Sequence, residues 1–131
     1  MGIFDKLKKK QNSSNEMHYD EKLASYTIEI KNIVFVNEEV QDDDYIKNLS
    51  FIAENYYNNI DNIISFMLPD LKEMYGEVDA ETVKEKLGKP IIDYDNGIVQ
   101  YLEQSFDDIH IFSFECLDDE FKEIQYFSID G

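Results

Sequence analysis

Apolar residues recur along this chain at two periods. In LASYTIEI, residues 23–30, Tyr26, Ile28 and Ile30 alternate with other positions, which is the period of a half-buried strand. Ile33 to Val36 form a second apolar run after Lys31-Asn32. The two runs read as strands whose spacing suits a hairpin without fixing its register. EEVQDDD then changes the pattern. An aspartate here can cap a helix, and acidic residues suit its electropositive first turn. In DYIKNLSFIAENYYNNIDNIISFMLPD, Ile46, Leu49, Ala53, Tyr56, Ile60, Ile63 and Met67 repeat at spacings of three and four. That stripe predicts one long helix of about six turns. Ile52, Tyr57, Ile64, Phe66 and Leu68 widen its apolar surface, and Asn55, Asn58, Asn59 and Asn62 mark the wetter face. Pro69 is expected to end or sharply interrupt it.

LKEMYG suits a short further turn stopped at Gly76. DAETVKEKLG suits a clearer helix, capped by Asp79 and stopped by Gly88. The C-terminal third is strand-like. KPIIDY, GIVQYLE, IHIFSFEC and FKEIQYFSI are separated by polar turns too short for a crossover helix, so antiparallel neighbours are expected. Layer logic makes the chain α+β: a mainly antiparallel sheet covered by one long helix and one or two shorter helices. Residues 1–18 read as a mobile leader and residues 19–131 as a single domain.

Composition adds limits on partners. A chain of 131 residues that is 43% hydrophobic has material for one core. Lys and Arg total 12 against 29 Asp and Glu, a formal charge of -17. Nucleic acid is disfavoured, because neutralising phosphates needs cationic side chains. Anionic lipid is disfavoured for the same reason. A basic protein partner fits the charge, and attraction would speed the encounter. No apolar run approaches the roughly 18 residues of a membrane span, so integral membrane association is not expected. The leader holds the only basic segment, where Lys6, Lys8, Lys9 and Lys10 accompany Ile3, Phe4 and Leu7. Its apolar side is small for a membrane contact, and the acidic body opposes one. Cys116 is the only cysteine. That excludes an internal disulfide and a four-thiolate metal site, and its setting in HIFSFEC predicts a small buried thiol.

DYDNG, residues 93–97, poses the sharpest local choice. Counted as a calcium loop from Asp93, position six is Ile98 rather than glycine and position twelve is Gln104 rather than a bidentate glutamate. The hairpin reading predicts more. With Asn96-Gly97 at the centre of a two-residue turn, Asp95 pairs with Ile98, Tyr94 with Val99, Asp93 with Gln100 and Ile92 with Tyr101. Ile92, Tyr94, Val99 and Tyr101 then share one face, with mainly Asp93, Asp95 and Gln100 on the other and Ile98 as the imperfection.

No constellation carries a defined chemistry. His110 is the best isolated candidate and should share a face with Phe112, Phe114 and Cys116. A catalytic role would need a pocket and an orienting partner. Asp107 and Asp108, and Asp118, Asp119 and Glu120, read first as solvated turns. Ser105 and Ser113 carry no nucleophile-elbow motif. The five glycines are scattered, without a phosphate-binding loop, and no cofactor is expected. Tyr56, Tyr101, Phe112 and Phe114 suit the core. Tyr57, Tyr75, Phe106 and Phe121 are candidates for an exposed groove, and an aromatic anchor beside acidic loops suits recognition of a basic protein.

The run LGKPIIDYDNGIVQYLEQSFDDIHIFSFEC followed by FKEIQYFSIDG, residues 88–131, resembles small bacterial α+β proteins of uncharacterised families, some grouped with immunity proteins of toxin systems. The resemblance implies a cytoplasmic protein that binds and neutralises a toxin, and it transfers no binding residue. Three readings follow. The first is a non-enzymatic protein-binding module, with Asp42, Asp43, Asp44, Asp118, Asp119 and Glu120 as its contacts. The second is a small hydrolase-like enzyme using His110 and nearby carboxylates. The third is a structural or homo-oligomeric subunit using a sheet edge or the long helix.

Overall fold

The period-two segments assemble into one seven-stranded sheet. The computed structural model describes residues 16–131. Its strands are His18–Asp20 (β1), Ser25–Ile30 (β2), Ile33–Asn37 (β3), Ile91–Asp93 (β4), Ile98–Tyr101 (β5), Ile111–Cys116 (β6) and Ile124–Asp130 (β7). Their spatial order follows the chain from β1 to β7. β3 and β4 run parallel, and every other neighbouring pair is antiparallel. The parallel pair is where the chain leaves the sheet for its helices, Asp43–Asn58 (α1), Ile60–Tyr75 (α2) and Ala80–Lys86 (α3). Parallel neighbours need such a long crossover, whereas hairpins join the rest. The fold is α+β, as the pattern predicts. Lys31 and Asn32, at φ 51° and 65°, form the two-residue turn of the β2–β3 hairpin and pair Ile30 with Ile33.

The core lies between the sheet and the helices. Ile28, Phe35, Ile92, Val99 and Phe114 are successive cross-strand partners, and all are buried. Leu49, Ile52 and Tyr56 of α1, Ile63, Ile64 and Met67 of α2, and Val83 of α3 complete it. Each fully buried side chain of this size contributes roughly 1.5–3 kcal/mol. Alternate positions Val34, Ile91, Gln100 and Ser113 point the other way and stay half-buried.

Three expectations change. The long helix is two helices of 16 residues each. Asn59 separates them at φ -117°, ψ 18°, and its side-chain amide donates to the Asn55 carbonyl at 3.0 Å. Such a side chain competes with the helical ladder for the same acceptor. Pro69 lies inside α2. It is exposed, as is Ser65, whose carbonyl loses its usual donor there, so water can take the donor's place. LKEMYG is the end of α2, which stops at Gly76 as expected. The leader to residue 18 also overlaps the fold, since Met17 is buried and His18 opens β1. Ile3, Phe4, Leu7 and the four leader lysines lie outside the described residues.

The two edge strands are blunted. β1 has 3 residues. β7 carries Tyr126 at φ 55° opposite a register shift between Ser113 and Glu115, a bulge of the kind that disfavours strand addition. Among the described residues, no helix is long and apolar enough to cross a membrane.

Candidate functional site

Three connections meet at one end of the sheet: residues 38–42 after β3, 94–97 between β4 and β5, and 117–123 between β6 and β7. The DYDNG segment stands between the other two. It turns back one step earlier than a two-residue turn on Asn96-Gly97 would. Ile92 pairs with Val99 and Asp93 with Ile98, leaving Tyr94 to Gly97 as the loop. Because the register differs by two residues, Ile92, Val99 and Tyr101 still face the core. Tyr94 does not join that row. The loop closes through the Asp93 carboxylate, which accepts from the Asn96 N–H at 3.2 Å and from its side-chain amide at 2.8 Å. Gly97 has φ +67°, and a Cβ there would stand 2.6 Å from the Cys116 carbonyl oxygen. The Cys116 N–H donates to the Gly97 carbonyl at 2.7 Å, seating the loop on β6.

Asp95 is held from the β3 and α1 side. The Tyr45 hydroxyl donates to its Oδ1 at 2.7 Å, and the Asn37 amide donates to its Oδ2 at 2.9 Å. Burial and the Asp95 carboxylate hold the Tyr45 hydroxyl well above its ordinary pKa, so it stays a donor. On the other side, the Tyr94 hydroxyl lies 3.1 and 3.2 Å from the two oxygens of Asp119. Burial likewise raises its pKa. Asp93 and Asp95 therefore turn to different partners instead of converging as calcium ligands.

The β6–β7 turn is fixed by helix side chains. Asn55 donates to the Asp119 carbonyl and Asn62 to the Phe121 carbonyl, each at 2.9 Å. Phe121 is 2% exposed with φ 58°, a left-handed conformation that costs a bulky residue energy and is kept where its surroundings dictate it. Between this turn and the hairpin lies a cleft of about 490 Å³. Ile52, Ile92, Val99 and Phe121 form its floor, and Tyr94, Asp95, Asp118 and Asp119 stand around it. A second hollow of about 330 Å³ lies beside the same hairpin, against Asn37, Glu38 and Asp93.

The six acidic candidates thus fall at one end, in different roles. Asp42 caps α1 by accepting the Tyr45 N–H at 2.9 Å, and Asp43 and Asp44 sit exposed in its first turn. Asp118 accepts the N–H groups of Lys122 and Glu123, each at 3.1 Å. Asp119 holds Tyr94. Glu120 pairs with Lys122 at 3.0 Å on the surface. The Tyr45–Asp95 and Tyr94–Asp119 bonds tie the two clusters through the hairpin. Sequence reasoning missed Asn37, Tyr45, Tyr94 and Asp95 as members. Asn37 did leave a signal, since the alternation Ile33, Phe35, Asn37 puts a polar residue at a core position. Of the aromatics expected in an exposed groove, Phe121 is buried beneath the cleft. Tyr75 and Phe106 stack together elsewhere at 4.9 Å, and Tyr57 donates to the Lys31 carbonyl.

His110 precedes β6 at the opposite end. Its Nδ1 lies 2.6 Å from Asp107 Oδ2, which also accepts the Tyr75 hydroxyl at 2.5 Å. Asp107 Oδ1 accepts from Gln104 and from the Ile109 and His110 N–H groups. The Tyr75 hydroxyl, then the His110 ring and N–H, hold the Asp107 carboxyl well below the usual range. Both its oxygens are spent on closing the β5–β6 loop. Ser105 anchors the same loop through its N–H to Lys86, and Ser113 meets Ser128 at 2.9 Å on β7. Burial pushes the Cys116 thiol up to about 11, and it donates to the Asp118 carbonyl, so it is no ready nucleophile. No family model, curated protein or solved structure matches this chain.

Proposed function

We propose that this chain is a non-enzymatic module whose acidic end binds a basic protein. The observation that carries the reading is the meeting of the two acidic clusters at one end of the sheet, on either side of a hairpin whose Asp95 lines a cleft together with Asp118 and Asp119. Asp42 to Asp44 and Asp118 to Glu120 flank the hairpin, and Asp95 stands between them in fixed hydrogen bonds. Carboxylates grouped around a concavity focus their field and speed the arrival of a cationic partner. Binding would occlude the partner without chemistry on this side. Neutralisation of a cytoplasmic toxin is the specific form we favour, because the resemblance in residues 88–131 covers the hairpin and the β6–β7 turn. The hydrolase alternative is less favoured, since Asp107 serves a loop, and the blunted edges give an oligomer no ready strand to extend.

Capture on the immobilised full chain from native lysate, followed by titration with the purified hit, tests this. A saturable complex with a basic protein that weakens as salt rises is the expected result. A chain that retains no saturable partner, or binds one indifferently to salt, contradicts it and directs attention to substrate screening.

A further inference from the structure

Resting on that reading, we propose that the cleft between the β4–β5 hairpin and the β6–β7 turn is a socket for an arginine side chain of the partner. Acidity alone would attract any cation. The cleft adds shape: about 490 Å³ is within the range of clefts that enclose small ligands, roughly 300–1,000 Å³. None of the described residues lining it is a lysine or arginine. Lys122 of the same turn pairs with Glu120 at 3.0 Å and also feels the Asp118 charge, so Asp95 and Asp119 are the carboxylates offered to a ligand.

The chemistry selects arginine. A guanidinium offers five donors in a planar fork and no acceptor, whereas carboxylates are acceptors only. Asp95 is oriented by Tyr45 and Asn37, and Asp119 by Tyr94. Each carboxylate oxygen can accept more than one hydrogen bond, so these donors set its direction and leave capacity for a ligand. The apolar floor suits an aliphatic stem, and the Tyr94 and Phe121 rings suit a weakly hydrated planar cation better than a strongly hydrated ammonium.

The test is an NMR titration of the full chain with an acetylated, amidated Gly-Arg-Gly-Arg-Gly peptide, its lysine counterpart and calcium chloride. The expected result is saturable shifts at Gly97, Cys116, Leu117 and Phe121, with the arginine peptide bound about tenfold more tightly than the lysine one. Asp119→Asn should weaken arginine binding by at least about fivefold. Should that variant lose its folded spectrum, Leu117→Arg serves instead. Leu117 is 59% exposed at the cleft, and a guanidinium supplied there in cis should abolish peptide binding while the core stays intact. Equal binding of the two peptides, with shifts at Asp42 to Asp44 alone, would overturn the socket and leave the basic-partner reading standing. Saturation by calcium without response to arginine would overturn it in favour of a cation site. A fourth arm changes Lys6, Lys8, Lys9 and Lys10 to Gln in the full chain. Movement of the cleft resonances without peptide would assign the cleft to this chain's own leader and overturn the proposal. Failure of partner capture, scored separately on the unaltered chain, would instead sink the underlying reading.

Discussion

Two residues deep in the core show how a polar pair can be kept there. The Tyr56 and Tyr101 hydroxyls lie 2.6 Å apart, and both residues are buried. Burial raises both phenol pKa values, so the pair stays neutral. Removing one hydroxyl leaves the other without this partner, a loss of about 1–3 kcal/mol. Tyr56→Phe and Tyr101→Phe should each destabilise by that order in urea unfolding. The double variant should cost less than their sum, because no buried hydroxyl is left over. Asp107 gives a pH signature. Its folded pKa lies below the unfolded value of about 3.9. The stability it contributes is therefore fully present above that value, declines as pH drops below it, and is lost as pH falls through the lower folded pKa. Asp107→Asn should be less stable than the native chain at neutral pH. Urea midpoints should show that difference shrinking once the pH is below about 4.

At the scale of elements, two glycines separate strain from crowding. Gly76 has φ +86° with nothing within 4 Å of an added Cβ, whereas Gly97 has φ +67° and backbone at 2.6 Å. Gly76→Ala should cost about 1–3 kcal/mol for its backbone conformation alone, because φ 86° with ψ -148° lies beside a region held almost only by glycine. Gly97→Ala should cost more, because the hairpin must also lift from β6, and thermal unfolding would rank the two. The elements themselves were largely legible. Alternation located β2 and β3, the stripe located the residues that α1 and α2 bury, and Asp79 and Gly88 marked α3. The break at Asn59 was not legible, because Ile60, Ile63 and Met67 continue the stripe of α1 across it. Pro69 misled because sequence does not show that its neighbours face water. The hairpin register slipped by two, which period-two patterning cannot detect, since both registers place Ile92, Val99 and Tyr101 inward and differ only in whether Tyr94 belongs to the strand. The pairing of β3 with β4 joins segments far apart in the chain, and no local pattern encodes it.

For the whole molecule, the question is whether charge is merely abundant or placed. Acidic residues occur throughout, so their number could not reveal a site. What sequence lacked was the meeting of residues 37–45, 93–97 and 117–121 at one end, a product of sheet topology. If placement matters, equal neutralisation at the two ends must have unequal effects. The most direct measurement is the affinity of the captured basic partner for three full-length variants at one salt concentration. Two neutralise the acidic end: Asp42→Asn with Asp43→Asn and Asp44→Asn, and Asp118→Asn with Asp119→Asn and Glu120→Gln. The third removes as many charges on and just beyond the C-terminal half of α2: Asp70→Asn with Glu73→Gln and Glu77→Gln. Each acidic-end variant is expected to weaken binding at least about tenfold, and the third no more than about twofold. Equal losses in all three would mean that net charge alone attracts the partner, and would contradict the assignment of this end as the binding surface.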